Sequence, residues 1–321
     1  MEEKLVKIIN EMADYLNIAQ MKKLQEVLIK NLSDARPEKE QISNEEYLKM
    51  FIEAKQIEGC SARTLQYYQV TIDHLLKNTD TMIRKITTDE IRTYLAEYQQ
   101  RNNCSKVTVD NVRRNISSFF SWLEEEDYIL KSPMRRIHKI KTKQPVKEII
   151  SDEVIERLRD NCRCSRDLAM IDLLYSTGIR VGELVGLNIS DIDFEERECV
   201  VYGKGDKERC VYFDAKAKLH LQNYINSRTD TNPALFVTLD SPYERLKISG
   251  VEIRVRELGR KLNIEKIHPH KFRRTMATRA IDKGMPIEQV QKILGHSQIG
   301  TTMQYAIVNQ NNVKTSHRRY I

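Results

Sequence analysis

At 321 residues the chain exceeds the ~100–200 of an ordinary domain, so two domains are expected, and 40% apolar content is enough for a core in each. No apolar run approaches the ~18 residues that cross a bilayer. The acidic start Met1-Glu2-Glu3 is not a signal peptide, so neither a membrane nor an exported protein is expected. Fifty-three Lys and Arg against 46 Asp and Glu leave a net charge of +7, which admits an anionic partner. Six scattered cysteines (Cys60, Cys104, Cys162, Cys164, Cys199, Cys210) lack zinc-site spacing and read as free thiols of a reducing cytoplasm.

In chain order, residues 1–40 are a helical extension. Leu5, Ile8, Ile9 and Met12, then Met21, Leu24, Val27 and Leu28, recur at helical spacing, with a break near Asn17 and a polar hinge from Ser33 to Glu40. The extension serves either contacts with a neighbour or a cap on the first domain. Residues 41–128 predict four helices packed as a bundle. Ser43-x-x-Glu46 and Thr87-x-x-Glu90 are capping boxes, and Ser61 and Ser105 cap the other two helices. The apolar faces run through Phe51, Ile72, Leu75, Ile91, Leu95, Ile116 and Phe119. Residues 129–149 form a linker in which Lys131, Arg135, Arg136, Lys139, Lys141, Lys143 and Lys147 occur with no acid between them.

The second domain, 150–321, opens with a helix capped by Ser151 and an apolar helix from Asp167 to Tyr175. Thr177-Gly178 breaks that helix and presents Arg180 at the start of the next, with Glu183 three residues on. Asp191–Asp193, Glu198–Tyr202 and Cys210–Phe213 read as short strands, and Pro233–Val237 as another. Gly203-Lys204-Gly205-Asp206 is a tight turn, and Lys207 and Arg209 continue its basic edge. An amphipathic helix from Ser249 to Leu262 carries Arg254, Arg256, Arg260 and Lys261. Pro269 suits a first helical turn, placing His270 and Arg273 on one face. Gly284 and Pro286 divide that helix from Ile287–Leu294, Gly295 turns the chain, His296 follows, and an amphipathic stretch from Thr301 to Ile307 carries Tyr305. Two imidazoles, a guanidinium and a phenol, with no acidic cluster to hold a metal, suit attack on a phosphodiester. Cations offset the charge of the crowded phosphate while a hydroxyl attacks.

These residues resemble the tyrosine recombinase (phage integrase) family, in particular its Xer-type members. The family's order is an early Arg, a hairpin Lys, His-x-x-Arg, a late His and a nucleophilic Tyr. Here that order is Arg180, Lys204, His270 with Arg273, His296 and Tyr305. The match covers residues 43–321 and implies a mostly α fold with a small antiparallel sheet. A SAM-like core-binding bundle would precede a mixed α+β catalytic domain.

The implied reaction cuts and rejoins DNA site-specifically through a 3′-phosphotyrosyl link, without metal, ATP or other cofactor, for integration, excision or dimer resolution. In it Arg180, Arg273 and His296 would contact the phosphate, His270 would take the Tyr305 proton, and Lys204 would protonate the leaving oxygen. The implied partners are a double-stranded recombination site and further copies of the chain, a dimer on each site and a tetramer in synapsis. A partner recombinase or directionality factor is also admitted. DNA-facing positions are then Arg63, Thr64, Lys106, Thr108, Arg113, Arg114, Arg135, Arg136, Lys139, Lys141, Lys207, Arg209 and Arg274, the alternative for each being solvated surface. Arg274 stands where the family often has a second histidine. Two other readings are a type IB topoisomerase-like relaxing enzyme and a catalytically silent DNA-binding accessory protein.

Overall fold

The computed structural model describes residues 8–12, 15–33, 42–79, 81–142, 148–203, 208–264 and 266–305. They divide into two compact units, Met1–Gln144 and Pro145–Ile321. No helix among them is long and apolar enough to cross a membrane.

The first unit is helical. Helix α1 (Ile18–Ser33) starts where Asn17 and Gln20 exchange side-chain-to-backbone hydrogen bonds, which accounts for the expected break at Asn17. The bundle follows as α2 (Asn44–Ile57), α3 (Ala62–Lys77), α4 (Thr88–Arg101) and α5 (Lys106–Glu125). Both expected capping boxes form, Ser43 with Glu46 and Thr87 with Glu90, and Ser61 and Ser105 accept from the amides of Thr64 and Thr108. Phe51, Ile72, Leu75, Ile91, Ile116, Phe119, Phe120 and Leu123 make a core closed to water.

The basic stretch begins on this core. Met134 is buried in a short 3-10 turn (Pro133–Arg136), and Ile137 and Ile140 pack against the bundle. The residues expected as linker therefore lie on the first unit as far as Ile140. The reason is a set of apolar residues interleaved with the basic ones. Asp110, almost fully buried, pins this path by accepting from Arg113 Nε (2.8 Å) and the Ile140 amide (3.0 Å) and pairing with Arg114 Nε (3.1 Å).

In the second unit α6 (Asp152–Asp160) leads to α7 (Ser165–Thr177), whose Ala169, Met170, Ile171, Leu173 and Leu174 are wholly buried at the centre of the core. After α8 (Val181–Gly186), β1 (Ile192–Asp193), β2 (Glu198–Tyr202) and β3 (Glu208–Tyr212) form an antiparallel sheet in sequential order. Cys199, Val201 and Val211 turn inward from it. Then come α9 (Ala215–Asn226), α10 (Ile248–Lys261), α11 (Pro269–Asp282), α12 (Ile287–Leu294) and α13 (Ile299–Met303).

The expected strand at Pro233–Val237 is only a pair of isolated bridges, Asn188 to Ala234 and Val237 to Arg245. Its backbone instead bonds on one side to Leu187 and Ile189 and on the other to Leu246, so no ladder extends. Two buried acids bind side chains of this core. Asp167 accepts from Arg166 and Arg254, and Asp172 from Arg159 and His220. Arg279 donates to the Ile150 carbonyl and Thr275 Oγ1 accepts from the Ile150 amide, so the entry to this unit is tied to α11.

The Asp110 hub separates two adjacent arginines. Arg113 is 12% exposed and Arg114 57%. Replacing Arg113 by Ala leaves a buried carboxylate short of its main partner and is expected to cost about 1.5–3 kcal/mol. Arg114→Ala is expected to stay within ~0.5–1 kcal/mol, as for an exposed pair. The single tryptophan, Trp122, lies in this core, so urea unfolding followed by its fluorescence reads this unit alone. Equal midpoints for the two variants would refute the distinction.

Candidate active site

The site is assembled from the ends of helices. Helix α7 stops at Thr177, whose hydroxyl accepts from the Ile179 amide, and Gly178 takes the left-handed conformation (φ 62°). That backbone conformation favours glycine, and the tip of the Met276 side chain on α11 lies over it. Two residues later Arg180 is the N-cap of α8, its amide bonded to Glu183 Oε2 (2.9 Å) and its Nη1 to Glu183 Oε1 (2.8 Å). Arg180 Nη2 reaches the Gly295 carbonyl at 3.1 Å, and its side chain stays 40% exposed. At the other end of α8 the Arg245 guanidinium donates to the carbonyls of Val185, Gly186 and Leu187, holding the short helix from its C-terminus.

Helix α11 supplies Arg273, one of the largest fully buried side chains. Its Nη1 donates to the Gly178 carbonyl at 2.7 Å, and Nη2 donates to the Leu294 carbonyl and, at 3.1 Å, to His296 Nε2. One guanidinium thus joins the turn after α7 to the turn after α12. Burial and the neighbouring Arg180 push its pKa down to about 10, so it remains a cation at neutral pH. Helix α12 ends at Gly295 (φ 62°), and His296 follows. A guanidinium can only donate, so His296 Nε2 accepts and the imidazole proton sits on Nδ1, donating to Thr302 Oγ1 at 2.9 Å. Burial, with Arg273, Arg180, Arg209 and His270 around it, pushes the His296 pKa down to about 4, leaving the ring neutral.

Tyr305 follows α13. It is 7% exposed and packs with Ala277, Val290 and Leu294, its ring centroid 6.0 Å from that of His296. His270 is exposed in the first turn of α11, its ring stacked on His268 at 6.3 Å. Lys204 and Lys207 lie outside the described residues. An open cleft of about 1080 Å³ runs past Arg180, Gly203, Arg209, Lys292, His296 and Thr301.

Four of the six sequence-predicted residues, Arg180, Arg273, His296 and Tyr305, are brought to one place by hydrogen bonds and ring contact. Two further participants carry contacts that lie far apart in the chain. Glu183, whose spacing allows it to pair with Arg180 or cap the turn, does both, and its buried carboxylate also binds Arg209, at 2.7 and 2.5 Å. Burial works against the ionised form of Glu183, but Arg209 and Arg180 outweigh it and hold its pKa below the usual range. Thr302, wholly buried, fixes the His296 ring, and no sequence signal six residues after a histidine reports that contact.

The predicted DNA-facing positions separate into groups. Arg63 and Lys106 are exposed in the first turns of α3 and α5. Those turns hold no acid, whereas the first turns of α2 and α4 hold Glu45, Glu46, Asp89 and Glu90. Thr64 and Thr108 bond the capping serines. Arg113 and Arg114 pair with Asp110, and Arg135 pairs with Glu124 at 2.6 Å. Arg136, Lys139 and Lys141 are exposed. Arg209 is engaged at the site, and Arg274 donates to the Glu148 carbonyl at 3.3 Å.

Comparison with known proteins bears on both units. The family model described as the Phage integrase family matches residues 148–312, and that of the phage integrase N-terminal SAM-like domain matches residues 47–130. The chain is 31% identical to a tyrosine recombinase XerC of Leptospira interrogans over 88% of its own length and 95% of that protein. To the XerC of Oceanobacillus iheyensis it is 29% identical, over 85% and 95%. Among solved structures, the Tn1549 transposon integrase in complex with a circular intermediate DNA shares the fold at a TM-score of 0.72 and 19% identity, covering 86% of this chain and 99% of that one. A lambda integrase dimer bound to a COC′ core site gives a TM-score of 0.67 at 18% identity, covering 89% and 85%. By the family match over half its length and by its identity to the Leptospira protein, the chain belongs to the phage integrase family and is a tyrosine recombinase, an enzyme that breaks and rejoins DNA through a tyrosine.

Proposed function

We propose that Tyr305 is the nucleophile, Arg180, Arg273 and His296 the phosphate contacts, His270 the base and Lys204 the acid of this recombinase. The observation that carries the reading is the convergence of Arg180, Arg273 and His296 on the Gly295 turn, with the Tyr305 ring against His296. The phenolic oxygen attacks the phosphorus and forms the 3′-phosphotyrosyl bond as the bond to the 5′ oxygen breaks. The phenol proton passes to His270, and the departing oxygen takes one from Lys204. A 5′ hydroxyl from another strand reverses the step. The bond energy is kept in the tyrosyl ester, so the cycle is isoenergetic.

A phenol with a pKa near 10 is a weak nucleophile at neutral pH. The two guanidiniums lower the barrier by offsetting charge on the non-bridging oxygens, to which their planar forks are matched. His296 cannot serve as a donor while its Nε2 faces Arg273. A phosphate oxygen arriving between them takes the Arg273 bond and, as an anion, raises the histidine's pKa, so that Nε2 carries a proton toward the phosphate.

The partner we infer is a double-stranded recombination site in the cytoplasm, gripped by a dimer and exchanged in a tetramer, with a partner recombinase or directionality factor where the system uses one. The XerC relatives and the DNA-bound lambda integrase dimer support that reading. So do the exposed Arg63, Lys106, Arg136, Lys139 and Lys141. Phosphate contacts of this kind set register and affinity, while the recognised sequence depends on base contacts.

The direct test uses DNA flanking the gene as a nicked suicide substrate, quenched in SDS. Wild type is expected to form a covalent adduct at a 3′ phosphate and Tyr305→Phe to form none. An adduct that persists in Tyr305→Phe would remove Tyr305 as nucleophile, and footprinting without any adduct would favour a silent binding protein.

The second prediction concerns His296 in the DNA-free enzyme. Its folded pKa is about 4 and the unfolded value ~6.5. Between those values the unfolded chain takes up a proton that the folded chain refuses, so stability is full above pH ~6.5 and declines toward pH 4. Below that the contribution of this histidine is constant. Urea unfolding of wild type and His296→Gln across pH 7 to 4 should therefore show a steeper decline in wild type. Parallel curves would contradict the depressed pKa.

A further inference from the structure

Arg209 on β3 faces the site. Its side chain is 11% exposed and each of its nitrogens donates a hydrogen bond. Nη1 and Nη2 grip Glu183 Oε1 and Oε2 at 2.7 and 2.5 Å, and Nε donates to the Ile293 carbonyl at 2.9 Å. The stem lies against Gly295, where an added Cβ would fall 2.9 Å from Arg209 Cδ. Glu183 in turn holds Arg180, and Arg180 Nη2 returns to the Gly295 carbonyl. The bonds close a circuit through β3, the first turn of α8 and the last turn of α12.

We propose that Arg209 is a positioning residue for strand cleavage: by taking the two-pronged pairing on Glu183 it leaves Arg180 a single side-chain bond to that carboxylate, beside the one to Gly295, with its remaining donors turned to the scissile phosphate, and by bonding Ile293 it fixes the turn that bears His296. The proposal rests on the reading of Arg180 and His296 as phosphate contacts. Its physical basis is competition for one carboxylate. A guanidinium and a carboxylate prefer the fork-to-fork arrangement. Without Arg209, both oxygens of Glu183 are open to Arg180, three residues away. The pairing that follows would neutralise the cation the phosphate needs and draw its fork out of the cleft. Arg209 thus keeps an acid that orients Arg180 from disabling it.

A direct DNA contact by Arg209 makes the opposite forecast. Losing a phosphate contact weakens binding and reduces the salt slope by about 1, while the cleavage rate at saturation stands.

The experiment measures single-turnover cleavage of the suicide substrate at saturating protein, with DNA affinity against salt. The full-length proteins compared are wild type, Arg209→Met, Arg209→Lys, Arg209→Met with Glu183→Gln, and Arg180→Ala. Arg209→Met is expected to lose cleavage on the order of 10²-fold through misplacement of Arg180, with affinity and salt slope unchanged. Adding Glu183→Gln removes the competing charge while keeping an acceptor for the Arg180 amide, so it should recover part of that loss. Relief by a second lesion at a buried ion pair is a result that a purely structural role for Arg209 would not give.

Cleavage at the wild-type rate in Arg209→Met, a reduced salt slope with cleavage intact, or a double variant no faster than Arg209→Met would each overturn the proposal. Should Arg209→Met melt below the assay temperature, Arg209→Lys, which retains the charge without the fork, takes its place with the same pattern expected. Unimpaired cleavage by Arg180→Ala would instead overturn the underlying assignment of the phosphate contacts.

Discussion

A guanidinium removed from water needs acceptors, and Arg273 finds them in the main chain. The carbonyls of Gly178 and Leu294 stand where α7 and α12 have ended, so neither is committed to a helix, and both accept from the same side chain. That choice of partner has an electrostatic consequence. Elsewhere in this unit arginines meet buried acids, Arg166 and Arg254 at Asp167 and Arg159 at Asp172. Arg273 has dipoles in place of a counter-charge, and among the described residues Glu183 is the one carboxylate bonded within the set of Arg180, Arg209 and Arg273. The surplus positive charge is what a phosphodiester would complete. Together with burial, the larger cause, it drives the His296 pKa down.

The two turns that Arg273 joins are built alike. Each ends a helix with a glycine at φ 62°, a conformation that strains other residues, and at Gly295 the held Arg209 side chain also leaves little space for a Cβ. The site therefore depends on backbone geometry as much as on the functional groups. His296 and Arg180 are the first usable positions after the two turns, and their placement is inherited from helix ends that the buried core of α7 holds in register. Donors fixed in this way need little reorganisation when charge develops on the phosphate, which is the condition under which electrostatic stabilisation is largest.

Much of this was legible in the sequence because the signals were local. Serine and threonine caps marked the starts of α2 through α6, period and composition marked β2 and most of the helices, though not α9, and six motif residues in order pointed to the family. What was not legible depended on contacts distant in the chain. Arg113 and Arg209 look alike as basic residues in basic surroundings, yet each is turned inward by a buried acid, Asp110 and Glu183. Sequence composition cannot tell a cation facing solvent from one spent on an internal partner. Pro233–Val237 had the residues of a strand but met its neighbours only at single bridges. The stretch after Ile129 looked like a linker by charge, while Met134, Ile137 and Ile140 fastened it to the bundle.

Tyr305, the proposed nucleophile, differs in character from the groups around it. Arg180, Arg273 and His296 are held by hydrogen bonds from more than one element, whereas Tyr305 is held by apolar contact with Ala277, Val290 and Leu294 and by its ring against His296. Hydrogen bonds are directional and fix a fork within tenths of an ångström, while apolar contact fixes a ring's depth more than its orientation. Such a division suits a reaction whose anion is bound before the bond is formed. On the proposed roles the phosphate would be received by a rigid frame, and the phenol would need only to turn within its apolar seat to meet the phosphorus in line. Because Thr302 bonds His296 and its carbonyl accepts from the Tyr305 amide at 2.9 Å, His296 and Tyr305 are both tied to α13.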